Sequence, residues 1–156
     1  ITTFVGAALG PTVAFGVYTS DSFDLTIRFK LTVNDGNTVA RIGLSDTALN
    51  TAPTDGIYIE KEAADTNWFF VDNPSTGGET RVDSTVAVST SFFKFRIRRV
   101  NGTTVGFAIN GGSETTAAFT ADEAMRIVIQ LNNNNVAEAK TLDLDYIYQI
   151  VTGLSR

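Results

Sequence analysis

The chain has 156 residues, 43% of them hydrophobic and 19% charged, with a net charge of −5 and neither histidine nor cysteine. A Ser-His-Asp triad, a Cys-His pair, a zinc hydrolase site and a disulfide scaffold are therefore excluded, which leaves carboxylate chemistry, oxygen-ligated metals, or no chemistry. The acidic balance argues against a nucleic-acid partner, because phosphate binding needs a basic field.

The length suits a single domain over residues 1–156. Residues 1–20 carry no charge but are broken by Gly6, Gly10, Pro11 and Gly16. They read as two short strands around a Gly10-Pro11 turn, with no signal peptide and no membrane helix. Such an arm either completes the domain's own sheet or lies against a second subunit through Phe4, Val5, Val13 and Phe15.

Period-two alternation follows. Phe23, Leu25, Ile27, Phe29, Leu31 and Val33 point one way and Asp24, Thr26, Arg28, Lys30 and Thr32 the other, as in a strand with one buried face. Asp35-Gly36-Asn37 turns the chain into Ala40, Ile42 and Leu44. Asp55-Gly56 leads into Ile57-Tyr58-Ile59. Trp68-Phe69-Phe70-Val71 is apolar on both faces and predicts a strand that sits centrally or beneath a loop. A short strand runs from Arg81 to Val88.

Phe93 to Ile109 predicts a hairpin. A three-residue loop of Val100, Asn101 and Gly102, with Gly102 left-handed, pairs Ile97 with Val105, Phe95 with Phe107 and Phe93 with Ile109. Lys94, Arg96 and Arg98 then share the opposite face with Thr104, Gly106 and Ala108. Ser113 to Thr120 reads as a loop, and residues 121–124 as one helical turn. Met125, Ile127, Ile129 and Leu131 alternate again. The last strand places Leu142, Leu144, Tyr146, Tyr148 and Ile150 on one side. Asp143, Asp145, Ile147 and Gln149 take the other. Roughly ten or eleven short strands with no long helical period predict an all-β, antiparallel β-sandwich.

The run Phe23 to Lys30, then Ala40-Arg41-Ile42-Gly43-Leu44, Phe107-Ala108-Ile109-Asn110-Gly111 and the closing Leu142 to Ile147 resemble, in order and spacing, the concanavalin A-like lectin/glucanase jelly roll over residues 20–151. Within that superfamily the His-free, Cys-free, Thr/Ala/Asn/Gly-rich version is most similar to domains of bacteriophage particles: capsid decoration proteins, head fibres and tail-fibre tips. The resemblance implies a non-enzymatic structural component on the virion surface. Its partners would be further copies of the chain (a trimer by the family's habit), other virion proteins and a cell-surface glycan. The alternative is a carbohydrate-binding, lectin-like module of a larger protein, extracellular rather than virion-borne.

Enzymatic glucanases of this fold carry a Glu-x-Asp-x-(x)-Glu strand. Asp143-Leu144-Asp145 is the nearest echo, but Ile147 stands where a glutamate is expected. Residues two apart on a strand lie roughly 6.5 Å apart, within glycosidase range. Alternation makes such pairs constantly, so the expectation is that none is catalytic. Glu60 and Glu62 read as a solvated strand end. Asp35-Gly36-Asn37 and Asn132 to Asn135 read as turns rather than calcium loops, so neither metal nor cofactor is expected.

The stripe of Lys94, Arg96 and Arg98 is a candidate contact for a partner's carboxylates or an acidic glycan. The alternative has these side chains lying flat over Gly106 and Ala108, paired with acids such as Asp24. Trp68, Tyr58 and Tyr18 are candidate sugar-stacking platforms, with a core position as the alternative for a tryptophan flanked by Phe69 and Phe70.

Overall fold

The computed structural model describes residues 2–5, 22–46, 53–75, 77–119, 124–133 and 140–152. They form eleven strands: β1 (Thr2–Val5), β2 (Ser22–Leu31), β3 (Val39–Ser45), β4 (Gly56–Lys61), β5 (Asn67–Asn73), β6 (Thr80–Ala87), β7 (Phe93–Asn101), β8 (Thr104–Ile109), β9 (Thr115–Ala118), β10 (Arg126–Asn132) and β11 (Thr141–Thr152). One sheet has the order β1-β11-β2-β7-β8-β9, the other β10-β3-β4-β5-β6, and the strand pairs are antiparallel.

Alternation puts every second side chain of each sheet into one shared interior. From the six-stranded sheet come Leu25, Ile27, Phe29, Phe95, Ile97 and Phe107. Ile42, Leu44, Ile57, Ile59, Trp68 and Phe70 come from the five-stranded sheet. The layers meet through aromatic edges and faces. Trp68 packs edge-on against Phe29 and Phe93, each with ring centroids 5.5 Å away, and Phe70 stacks on Phe107 at 5.0 Å. This is the antiparallel sandwich that the alternation predicts.

Three local readings change. In the β7–β8 hairpin, Phe95 pairs with Ile109, Ile97 with Phe107 and Arg99 with Val105, two residues away from the predicted register. An irregularity between Arg99 and Asn101 absorbs Val100, and Asn101 pairs with Thr104. The Asn101 carboxamide oxygen accepts the Thr103 N–H at 2.9 Å, so an Asn side chain holds the turn and Gly102 is not left-handed. An even slip keeps every side chain on its predicted face, which is why the apolar stripe still points inward.

The left-handed pair sits at the other end of β8. Asn110 (φ 54°) and Gly111 (φ 74°) form a type I′ turn closed by the Gly112 N–H on the Ile109 carbonyl at 2.9 Å. That turn returns the chain to pair as β9 where a loop is predicted. Its sequence, Thr115-Thr116-Ala117-Ala118, has too little hydrophobic contrast to show a period.

The third change is in β11. Leu144 pairs with Phe29 but Tyr146 pairs with Arg28, so Asp145 is an extra residue in a β-bulge. Leu142 and Leu144 face the interior before it, and Val151 after it. Tyr146, Tyr148 and Ile150, predicted to lie with the leucines, are turned outward beside Arg28, Thr26 and Asp24.

Among the predicted subunit contacts, Phe4 and Val5 pair by backbone with Leu142 and Thr141. Val13, Phe15, Tyr18 and residues 121–123 of the helical turn predicted over 121–124 lie outside the described residues.

Candidate functional site

Two outer faces carry polar chemistry. On the five-stranded sheet, register places Gln130, Arg41, Glu60, Phe69 and Asp83 in one row, and Gly43, Tyr58, Val71 and Arg81 in the next. Glu60 is the hub. It accepts Arg41 Nε at 2.7 Å and Arg81 Nε at 2.9 Å, and is only 2% exposed. Arg41 also binds Gln130 at 3.1 Å and Glu62; Arg81 reaches Asp65 and lies 3.6 Å from the Phe69 ring centre. The expectation that Glu60 and Glu62 form a solvated strand end is thus corrected for Glu60, which is buried between two guanidinium groups.

Tyr58 rises from this face over Gly43. A Cβ on Gly43 would come within 2.6 Å of the Tyr58 Cα, so only glycine lets the strands lie this close. The Tyr58 hydroxyl is buried; Asn73 and Glu79 lie near it, yet neither completes a hydrogen bond. Burial, then the charges of Glu60 and Glu79, push the phenol up from its ordinary value. Burial likewise raises the carboxyls of Glu62 and Glu79.

At the end of β4 the Lys61 ammonium is enclosed by backbone carbonyls. It donates to Thr38 at 2.8 Å, Glu62 at 3.1 Å, Asp35 at 3.2 Å and Ala63 at 3.3 Å. Asp35 holds its own turn, accepting the Asn37 N–H and the Thr38 hydroxyl at 2.9 Å each, and pairs with Lys140. That carboxylate sits well below its ordinary value because of Lys140 first and the turn bonds next.

The outer face of the six-stranded sheet is open. Its rows run Ile150–Asp24–Arg98–Gly106–Thr116, Tyr148–Thr26–Arg96–Ala108 and Tyr146–Arg28–Lys94. Arg96 forks onto Asp24, with Nε at 2.9 Å, and Arg98 forks onto Glu114 at 2.6 and 2.8 Å. The Glu114 carboxylate occupies the space that a side chain at Gly106 would fill. Lys30 binds Asp143 at 3.1 Å and Arg28 binds Asp145. The Asp143/Asp145 echo of a catalytic pair is therefore two separate ion pairs. In the centre the short side chain of Thr26 leaves an open trough of about 360 Å³, bounded by Tyr146 and Tyr148 on one side and Lys94 and Arg96 on the other.

Of the predicted site residues, Lys94, Arg96 and Arg98 do share one exposed face. Trp68 and Tyr58 are corrected: both are 0% exposed, Trp68 in the core and Tyr58 beneath the closed face of the other sheet, so neither offers a ring to solvent. Among the described residues the exposed rings are Tyr146 at 40% and Tyr148 at 56% exposure. No sequence signal singled them out, because the extra residue at Asp145 that reverses the alternation leaves the written pattern of the strand unchanged.

No curated protein sequence matches the chain. Several solved structures share its fold. A family 7 alginate lyase in complex with substrate is 12% identical, with 99% of this chain and 79% of the lyase aligned at a TM-score of 0.64. A β-glucanase of Bacillus licheniformis is 14% identical over 93% of this chain and 76% of the enzyme, TM-score 0.64. The laminarinase catalytic domain of Thermotoga maritima is 13% identical over 90% and 66%, TM-score 0.59. At these identities the likeness establishes the jelly-roll fold shared with glucanases and lyases. It also overturns the expectation of a non-enzymatic phage-particle component, since these three neighbours are carbohydrate-active enzymes and none is a virion part. The model of one family, described as the SO2946-like, C-terminal domain, matches residues 1–145, and the chain belongs to that family.

Proposed function

We propose that the chain is a carbohydrate-recognising domain whose glycan docks on the outer face of the six-stranded sheet. The observation that carries this reading is the trough over Thr26, with two outward tyrosines two residues apart on one wall and charged side chains on the other. Large exposed aromatics on a soluble face mark contact surfaces. Phenol rings spaced roughly 6.5 Å along a strand offer neighbouring apolar platforms for sugar rings. The Arg96–Asp24 fork supplies donors and acceptors for hydroxyls. The five-stranded face is closed in comparison, with Tyr58, Glu60 and Gln130 each at most 2% exposed.

The test is retardation of the protein in gels containing laminarin, barley β-glucan, alginate or polygalacturonate. At least one should retard the wild type, and Tyr148→Ala should remove most of the effect without lowering the melting temperature. A wild type that none of them retards, by gel or by calorimetry, overturns the reading.

A second reading, glycan cleavage, is favoured by the glucanases and lyases that share the fold, and it requires the closed five-stranded face to open, because the Tyr58 hydroxyl set among Glu60, Glu79 and two guanidinium groups is buried. Burial raises the Glu79 carboxyl beside it, the direction in which a general acid is tuned. Release of reducing ends or of unsaturated sugar absorbance from the same polysaccharides, lost in Tyr58→Phe, is the expected result. Absence of product from all of them removes this reading.

A further inference from the structure

We infer that the trough selects an anionic sugar, with the carboxylate of a uronic acid seated between Lys94 and Arg28 while the ring lies against Tyr146 and Tyr148. This rests on the carbohydrate reading above and names its ligand class.

The inference starts from charge matching. Four acids on this face meet four bases one to one: Asp145 with Arg28, Asp143 with Lys30, Asp24 with Arg96 and Glu114 with Arg98. Lys94 is the remainder. It is exposed, lines the trough, and has no carboxylate partner among the described residues. A chain of net charge −5 thus keeps one unmatched cation on an otherwise balanced surface.

The position of Lys94 is informative too. Register puts it directly opposite Arg28. Like charges directly across two strands disfavour the sheet. Arg28 leans toward Asp145 and the Phe92 ring, 4.3 Å from its centre, which leaves the Lys94 side of the pair unrelieved. An anion seated there would draw on both cations and remove the repulsion. Tyr146 stands in the same row, next to Arg28. A carboxylate at that end therefore brings its ring over Tyr146 and on toward Tyr148, as a pyranose bearing the carboxylate on its ring periphery requires. A neutral sugar uses the tyrosines and leaves Lys94 unmatched.

The experiment uses the whole chain and pairs of oligosaccharides with one backbone, neutral and C6-oxidised, from cellulose, curdlan and amylose. The oxidised member of at least one pair should bind tenfold or more tightly, with an affinity that falls as salt rises. Lys94→Gln should bring it to the level of the neutral member while melting no lower than the wild type, and Tyr148→Ala should weaken both. Equal binding of neutral and oxidised members, or Lys94→Gln without effect, overturns the anionic selection and leaves the carbohydrate reading standing. Dextran sulfate bound as tightly as the best uronan also overturns it, by showing charge attraction alone. No binding to any member removes the carbohydrate reading and the inference together.

Discussion

Trp68 is the position where a core role and a ligand-platform role make opposite forecasts. Its ring bridges the two layers through edge contacts with Phe29 and Phe93. Truncating a buried tryptophan to alanine costs about 3–5 kcal/mol, and at about 2–4 °C per kcal/mol for a chain of this size the melting temperature should fall by roughly 6–20 °C. Trp68→Phe behaves differently. It leaves a gap of about 40 Å³, costing about 1 kcal/mol at ~24 cal/mol per Å3. It also removes the indole N–H, which is buried with no acceptor, and an orphaned donor costs about 1–3 kcal/mol in the wild type. The two effects oppose each other, so Trp68→Phe should lie between unchanged stability and a gain of about 2 kcal/mol. Urea unfolding followed by far-ultraviolet circular dichroism is the assay, because Trp68 is the chain's one tryptophan and its fluorescence goes with it. If Trp68→Phe destabilised as much as Trp68→Ala, the offset would be wrong. If it abolished polysaccharide retardation at unchanged stability, the core assignment itself would fail.

Glu60→Gln should destabilise by about 3 kcal/mol, the lower end of the range for breaking a buried pair, because Arg41 keeps Glu62 and Gln130; a loss below about 1 kcal/mol in urea unfolding would show the network to be dispensable. Gly43→Ala drives a methyl to 2.5 Å from the Ile57 carbonyl oxygen, a backbone atom that cannot swing away. Its cost should be at least the ~1–3 kcal/mol of overpacking, read as a fall in melting temperature, and an unchanged value would mean the strands can separate freely. Stability should also peak at mildly acidic pH. The raised carboxyls of Glu62 and Glu79 favour the fold fully below their ordinary value of 4.5 and lose that benefit as pH climbs through their raised values. The lowered carboxyl of Asp35 favours the fold above its ordinary value of 3.8 and loses that benefit as pH drops below it. Thermal melts from pH 3 to 8 should show this maximum, with the neutral-side slope reduced in Glu62→Gln; a monotonic rise to pH 8 would contradict it.

The sandwich was legible because β2, β7 and β10 alternate cleanly, and a strand's inward face survives any even error of register. The β7–β8 pairing slipped by two without moving a single side chain across the sheet. Odd shifts are different. Nothing in the pattern Leu142-Asp143-Leu144-Asp145-Tyr146 marks Asp145 as extra, so the outward tyrosines were hidden. Glu60 was hidden for another reason. Its partners Arg41 and Arg81 lie 19 and 21 residues away and meet it only across paired strands. Lys94, Arg96 and Arg98 could be grouped on one face from a single strand. Which of them kept a free charge depended on Asp24 from another strand and Glu114 beyond the next turn.

The bulge at Asp145 makes the identity of a whole surface depend on chain length rather than on composition. Removing one residue there would reverse the pleat downstream and turn Ile147, Gln149 and Val151 onto the outer face in place of two phenols. Relatives with the same tyrosines but a one-residue gap in this strand would align well and still present a different exterior. Within the family, the count of residues between Leu144 and Tyr146 is thus a better guide to what the outer skin holds than the presence of the aromatic residues themselves.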